Sequence, residues 1–435
     1  MRERCHFVEH HPSGVHFAGV AFSPDSTCIL ASDSRRCLRL FDAPATLFAG
    51  TATSRLHSPD PKKPDSPFGA GPNISELAPE STMLAPSLAV KCPENVYSFA
   101  WFPFMRSADT ATCLFAASIR DHPIQLFDAY SGEVRAAYTA KGDVVTAPHS
   151  IAFSPNGSRV YGGLEGRILA FDLNFQGSNP IAEISTTPTR KSPLGQKGIL
   201  SCLSTSPYHP NLLLAGSFSK SVGIYDLSCN EPVAIVKAGL IGTGVTQVEL
   251  LADGNRILVG SRKSRAIQIL DIRYLDQQDE GIRNKSNCIV QEIERDGMTN
   301  QRLGFSASSD GSVLCFGDQG GSLSLYSLID SRLVGKARVS NNAVGGTSIS
   351  PYFQNPNYQR QQDEQDPDVS MDVEYGAMLP SKYWVSACTG ERSKNRVAAL
   401  SDSDVSDHGE VATGENQGGL GKGTSAEIKV FEFSC

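Results

Sequence analysis

No stretch of the 435-residue chain approaches 18 consecutive apolar residues, which excludes a membrane-spanning helix of ordinary length. The opening "MRERCHFVEH" lacks the apolar core of a secretory signal, so a place inside the cell is expected. The eleven cysteines are spread singly from Cys5 to Cys435 and never form a C-x-x-C pair. They therefore read as small buried hydrophobes in a reducing compartment, not as a disulfide or zinc framework. No Ser, His and Asp stand in a recognisable nucleophile context and no carboxylate pair has a cleft to serve, which argues against an enzyme and against a cofactor. Surplus positive charge is missing as well, since the net charge is -7. Residues 352–425 hold twelve Asp/Glu against six Lys/Arg, so the acidity is local and the rest of the chain is close to neutral.

What the chain does have is repetition. "CLRLFD" (37–42) returns as "PIQLFD" (123–128), "RILAFD" (167–172), "SVGIYD" (221–226) and "AIQILD" (266–271), with "LSLYSL" (323–328) and "IKVFEF" (428–433) as degenerate copies. A second signal precedes each of the clear copies, usually by about 18 residues: "GVAFSPDS", "SFAWFPFM", "SIAFSPNG" and "SCLSTSPY", with weaker "QVELLADG", "LGFSASSDG" and "VGGTSISP". Apolar–polar alternation is the two-residue period of a half-buried strand, and Ser-Pro with Asp-Gly or Asn-Gly supplies the turn after it. Between the two signals runs a strand of small residues, as in "CILASD", "LFAASI" and "ILVGSR", which suits a crowded position near the axis of a radial array.

Seven starts and seven endings at a period of 42 to 56 residues for most units predict an all-β fold, a seven-bladed WD-repeat β-propeller built as one domain over residues 1–435. Phe-Asp, Tyr-Asp or Leu-Asp stands where such repeats have Trp-Asp, keeping the packing group and the turn-capping Asp. Phe41, Asp42, Phe127, Asp128, Phe171, Asp172, Tyr225, Asp226 and Asp271 are read as structural on that logic.

Three stretches interrupt the period. Residues 44–86 are Pro-rich and read as a disordered loop between the third and outer strands of the first blade; 353–380 are Gln/Asp-rich; 391–424 are Ser/Gly/Asp-rich. The last two fall inside the seventh blade and read as solvated excursions. Ser401, Ser403 and Ser406 in "SDSDVSD" suit phosphorylation. Two apparent motifs dissolve on inspection. "HFVEH" (6–10) matches the H-x-x-E-H of inverted zinc peptidases, but that chemistry needs a helix, and here an all-β chain follows; a closing outer strand or loop is expected, with no metal. "GGLGKGTS" (418–425) has Gly423 where a phosphate loop needs Ser or Thr after the lysine.

The informative surface is the face on which the loops between second and third strands open, together with the loops entering each innermost strand. "SDSRRC", "SIRDHP", "LEGR", "SFSKS" and "SRKSRA" place Arg35, Arg36, Arg120, His122, Arg167, Lys220, Arg262, Lys263 and Arg265 there, against Asp33, Asp121, Glu165 and Asp318. On the entering side stand Lys197 and the "MTNQR" residues Asn300, Gln301 and Arg302. Converging cations suit phosphates, and Asn or Gln beside Arg can read the edges of unpaired bases. The same residues equally serve a protein-binding platform, the commoner use of such a face.

Beyond the generic repeat, "AASIRDHPIQLFDAYSGEVRAAYTA", "APHSIAFSPNG", "GILSCLSTSPYHPNLLLAGSFSKSVGIYD", "GVTQVELLADGNRILVGSRKSRAIQILDIR" and "TNQRLGFSASSDG" resemble successive blades of the telomerase Cajal body protein 1 family over about residues 17–329. The resemblance implies binding of the Cajal-body box in a terminal loop of H/ACA-type small Cajal-body RNAs and of telomerase RNA. It implies delivery of those particles to Cajal bodies in the nucleus, and partners such as the telomerase holoenzyme, dyskerin and coilin, with no membrane or small-molecule substrate. Carried over, Arg262 and Lys263, with Arg120, His122, Lys220, Arg265, Asn300, Gln301 and Arg302 on the same face, are the RNA-contacting candidates. The acidic insertion 391–424 is expected to emerge on that face and compete with RNA, more so when phosphorylated.

Overall fold

The computed structural model describes residues 1–10, 15–44, 82–139, 146–177, 179–189, 191–192, 194–275, 288–351, 382–390 and 425–434. Their strands form seven small sheets. Blade one comprises Phe17–Phe22, Cys28–Asp33, Cys37–Asp42 and Pro86–Lys91; blade two, Val96–Trp101, Leu114–Ile119, Ile124–Asp128 and Val134–Tyr138; blade three, Ser150–Phe153, Arg159–Gly163, Arg167–Asp172 and Ala182–Ser185. Blade four has Leu200–Ser206, His209–Ser217, Ser221–Asp226 and Glu231–Val236; blade five, Val245–Leu250, Arg256–Ser261, Ala266–Asp271 and Ile289–Glu294; blade six, Phe305–Ala307, Val313–Gly317, Ser322–Ser327 and Arg332–Arg338. Blade seven joins Val344–Ile349, Lys382–Thr389 and Ser425–Ser434 to the N-terminal Arg2–His10. The one helical element among the described residues is a 3-10 turn, Ile272–Tyr274. The chain is a seven-bladed β-propeller.

The apolar residues do not collect in one core. They form seven clusters, one in each gap between neighbouring blades: Leu30, Leu40, Phe115 and Phe127 fill the gap between blades one and two, and Leu258, Ile267, Phe305 and Phe316 that between five and six. Each sheet thus buries both faces. That corrects the placing of the small-residue strands: "CILASD" and its copies are second from the axis, with Ile29, Leu30 and Ala31 buried. Small side chains are needed there because sheet packs on sheet on either side. The aromatic groups of the repeat, Phe41, Phe127, Phe171 and Tyr225, lie buried in the same gaps.

Around the axis, hydrogen bonds join every neighbouring pair of blades. Trp101 Nε1 donates to Ala21 O (3.2 Å), Ile151 N to Ser98 Oγ (3.3 Å), Thr205 Oγ1 to Phe153 O (2.7 Å) and Ser201 Oγ to Val245 O (2.6 Å). Gln247 exchanges two bonds with the Phe305 backbone, Ile349 N donates to Ser306 Oγ (3.2 Å), and Phe22 N donates to Ser348 Oγ (3.1 Å). The last bond closes the circle. The N-terminal strand completes the closure within blade seven, pairing antiparallel with Ser425–Ser434 through backbone hydrogen bonds, Phe7 opposite Ile428. "HFVEH" is therefore strand, and its histidines, four residues apart, are separated by about 13 Å along it.

At the ends of the third strands the aspartates organise turns. Asp128 Oδ1 accepts from Tyr130 N and Ser131 N, Asp172 Oδ1 from Asn174 N, Asp226 Oδ1 from Ser228 N, and Asp271 Oδ1 from Arg273 N. These are Asx turns, short loops closed by the preceding side chain. Asp42 differs because the connection after it is long; it accepts instead from Ser87 Oγ at 3.2 Å. The stretch 44–86 also ends sooner than composition suggested: Thr82–Met83 pairs parallel with Arg2–His10, and Pro86 begins the outer strand of blade one. Residues 45–81, 353–380 and 391–424 lie outside the described residues.

Candidate nucleic-acid interface

In each blade the first strand runs from one face of the ring to the other and the second returns. The turns between second and third strands therefore share a face with the loops that lead into the innermost strands. Six such turns are described. In blades one, three, four and six the residue just before the third strand has a positive φ: Arg36 (66°), Gly166 (73°), Lys220 (59°) and Gly321 (82°). Glycine is the unstrained choice there; an L-residue costs about 1–2 kcal/mol. Blades one and four place a cation in that strained position. Asp121 (φ 57°) and Lys263 (φ 47°) adopt it in blades two and five.

The cations of this face fall into two groups. In blades one to three, Arg36, Arg120 and Arg167 each meet a carboxylate. Arg36 donates to Pro93 O at 2.7 Å and to Glu94 Oε1 at 3.3 Å. Arg120 lies 3.3 Å from Asp121, and Arg167 3.4 Å from Glu183. His122 Nδ1 is 2.7 Å from Arg120 O, so its ring serves the turn. In blade one the turn itself is built on Asp33, whose Oδ1 accepts from Arg35 N and Cys37 N while Oδ2 accepts from Arg39 Nε at 3.0 Å.

In blades four and five the pattern changes. The Arg262 guanidinium lies over the Phe218 ring, 3.8 Å from its centroid, tying the two turns together by a cation–π contact. The backbone of "GTG" (242–244) wedges between them: Arg262 N donates to Gly244 O and Thr243 N to Arg262 O. A Cβ on Gly242 or Gly244 would strike Arg262 O or Phe218 O respectively, so only glycine permits this approach. Lys263 N donates to Thr299 O and Ser264 N to Gly297 O, bringing the "MTNQR" loop alongside. Lys263 and Arg265 are exposed and Lys220 half-buried. None of the three forms a salt bridge with a described residue.

The structure thus brings together Lys220, Arg262, Lys263, Arg265 and the loop bearing Asn300 and Gln301. Arg120 and His122 share the face but belong to blade two, across the ring. Gln301 is partly committed, since its Nε2 donates to Gly390 O at 3.1 Å at the root of the blade-seven connection; Asn300 is exposed. Arg302 points into the central channel near Cys202 of blade four and Cys388 of blade seven; exposed by area but walled in, it has its pKa lowered by desolvation. Ser401, Ser403 and Ser406 lie outside the described residues.

Two aromatic elements of the face lie outside the binding candidates drawn from the sequence. Phe218 is the one phenylalanine in the six turns, and its place in "SFSKS", a turn otherwise polar, was the signal available. Tyr97 and His149 stack at 4.8 Å and 25° at the start of the innermost strands of blades two and three. Burial keeps His149 below the usual histidine pKa, opposed by Glu165, so the stack is neutral near pH 7. No sequence cue joins two residues 52 apart.

No family model matches the chain. Among curated proteins, "Telomerase Cajal body protein 1" of Bos taurus and of Homo sapiens are each 29% identical over 310 residues, 71% of this chain and 49% of theirs. The chain thus spans about half the length of those relatives. "Guanine nucleotide-binding protein negative regulator 1" of Schizosaccharomyces pombe is 28% identical over 309 residues, 70% of this chain and 69% of that protein. The likeness carried by the blade loops extends over some 310 aligned residues: proteins named Telomerase Cajal body protein 1, from several species, are homologues of this chain at 28–29% identity over 71% of its length.

Proposed function

We propose that the chain is a nuclear RNA-binding adaptor that recognises the Cajal-body box loop of H/ACA-type small Cajal-body RNAs, telomerase RNA among them, and directs the particles to Cajal bodies. The single observation that carries the reading is the cluster of Lys220, Arg262 and Lys263 around Phe218. Lys220 and Lys263, which form no salt bridge with a described residue, neutralise loop phosphates, and the ring held flat beneath the Arg262 guanidinium offers a stacking surface beside them. The chemistry is recognition, not catalysis. The telomerase holoenzyme is the partner the relatives' name suggests, and dyskerin and coilin are proposed beside it.

The test is to crosslink the tagged protein in cells, recover it and sequence the attached RNA, in parallel with the Arg262→Glu, Lys263→Glu form. Enrichment of H/ACA-type small RNAs, lost on charge reversal, is expected. A stable protein partner with no specific RNA would favour the second reading, a protein-only nuclear scaffold. One observation supports that reading: the rim of blades one to three is neutralised by its own carboxylates, as a dry protein contact prefers.

A further inference from the structure

The opposite end of the channel holds a feature the RNA reading does not use. A cavity of about 440 Å³ opens between the innermost strands of blades four, five and six, among Thr205, Ser206, Tyr208, Gln247, Glu249 and Ser308. Its size lies in the ~300–1,000 Å³ range of ligand pockets. Tyr208 bridges blades four and six across blade five by donating its hydroxyl to Ser309 O at 2.7 Å, giving the cavity one aromatic wall.

Glu249 stands out among the residues that join the blades. Its Oε1 accepts from Ala307 N at 3.3 Å, a bond that Ser98, Ser306, Ser348 and Gln247 make elsewhere in the ring with neutral groups. A carboxylate is not needed to accept one amide proton, so its charge is surplus to that role. Among the described residues it forms no salt bridge. The other titratable groups lining the cavity are Cys202, Tyr208 and Arg302. Burial pushes the Cys202 thiol up to about 11, leaving it neutral, and the Tyr208 hydroxyl is spent on Ser309. Burial lowers the pKa of Arg302, opposed by Cys202 and Cys388 and not by Glu249. Burial pushes the Glu249 carboxyl itself up to about 7: a poorly solvated acid facing hydroxyls and an aromatic ring.

We infer that this cavity receives the arginine side chain of a protein partner, docking on the face opposite the cationic turns. A guanidinium presents five donors in one plane, enough for the free carboxylate oxygen and the surrounding hydroxyls at once, and its flat face can lie on Tyr208. An ammonium would reach the carboxylate but offers no plane to stack. The inference is independent of RNA binding, because the two sites sit at opposite ends of the channel.

The probe is a blocked Gly-Arg-Gly peptide, titrated calorimetrically into the full chain beside its citrulline and lysine counterparts. Saturable binding of the arginine peptide alone is expected, weakening about tenfold from pH 8 to pH 6 as Glu249 takes up its proton. Glu249→Gln retains an acceptor for Ala307 N and should abolish the binding while leaving melting temperature and RNA affinity unchanged. Equal binding of citrulline or lysine, persistence in Glu249→Gln, or no saturable binding at all would each overturn the assignment. Loss of RNA binding in Glu249→Gln would overturn the independence of the two sites.

Discussion

Two arcs of one face, built from the same repeat, have come out differently. The turns of blades one to three and those of blades four and five both carry arginine or lysine at their tips. In the first arc Arg36, Arg120 and Arg167 each lie within 3.4 Å of a carboxylate. In the second, Lys220, Lys263 and Arg265 have no such partner among the described residues, and the Arg262 guanidinium lies over the Phe218 ring. Exposed pairs of this kind add only about 0–1 kcal/mol to stability. Their consequence is elsewhere: they cancel the field beyond the surface. Counting cations along a sequence gives both arcs the same character; pairing separates them.

The sharpest contrast is between a turn held by charge and a turn that displays it. Asp33 is buried and serves two backbone amides and Arg39 at once. Asp33→Ala removes the carboxylate that serves the nearly buried Arg39 and two turn amides, and should lower unfolding free energy by about 3 kcal/mol, read by urea denaturation, with RNA affinity of the folded protein unchanged. In the second arc the balance reverses. Arg262→Glu with Lys263→Glu should reduce affinity for a stem–loop RNA about 100-fold and lower the slope of log affinity against log salt by about 1.4, two single-strand phosphate contacts. Arg36→Glu with Arg120→Glu should cost less than threefold in the same filter-binding assay. Equal losses from both pairs would erase the distinction between the arcs.

How much of this was legible follows from the range over which each feature is set. The strands, their turns and the count of seven blades are written locally, in alternation, Ser-Pro turns and Asp endings, and were readable. The closing strand was not assigned outright, because Phe7 finds Ile428 across nearly the whole chain, and no nearby residue encodes that pairing. Thr82–Met83 was lost inside a Pro-rich stretch for the same reason. At the face, the cations were legible as turn residues, but Glu94 and Glu183 come from other strands and loops, so which arginines they neutralise appears only in three dimensions. Phe218 was missed through attention to charge alone.

Phe218 carries the next prediction. Phe218→Ala removes both the surface beneath Arg262 and any base stacked beside it, and should weaken RNA binding about tenfold, within the ~1–3 kcal/mol of a base–aromatic contact. Phe218→Trp keeps the plane and should match or exceed the parent. If alanine and tryptophan bind alike, the ring is packing only, and the second arc differs from the first in charge alone.

The smallest effect discriminates most finely, because it sets stability against binding at equivalent positions. Arg36 and Lys220 both occupy the left-handed residue before the third strand, where blades three and six use glycine. Replacing either by glycine relieves the strain and should stabilise the fold by about 1 kcal/mol, measured as a rise in the denaturation midpoint. The arcs then part: Lys220→Gly should bind RNA about threefold more weakly, whereas Arg36→Gly, already neutralised by Glu94, should bind as the parent does. A strained cation persists where its charge is used; where glycine improves stability at no loss of binding, as expected at Arg36, the side chain answers to Glu94 and Pro93 O across the loop rather than to a ligand.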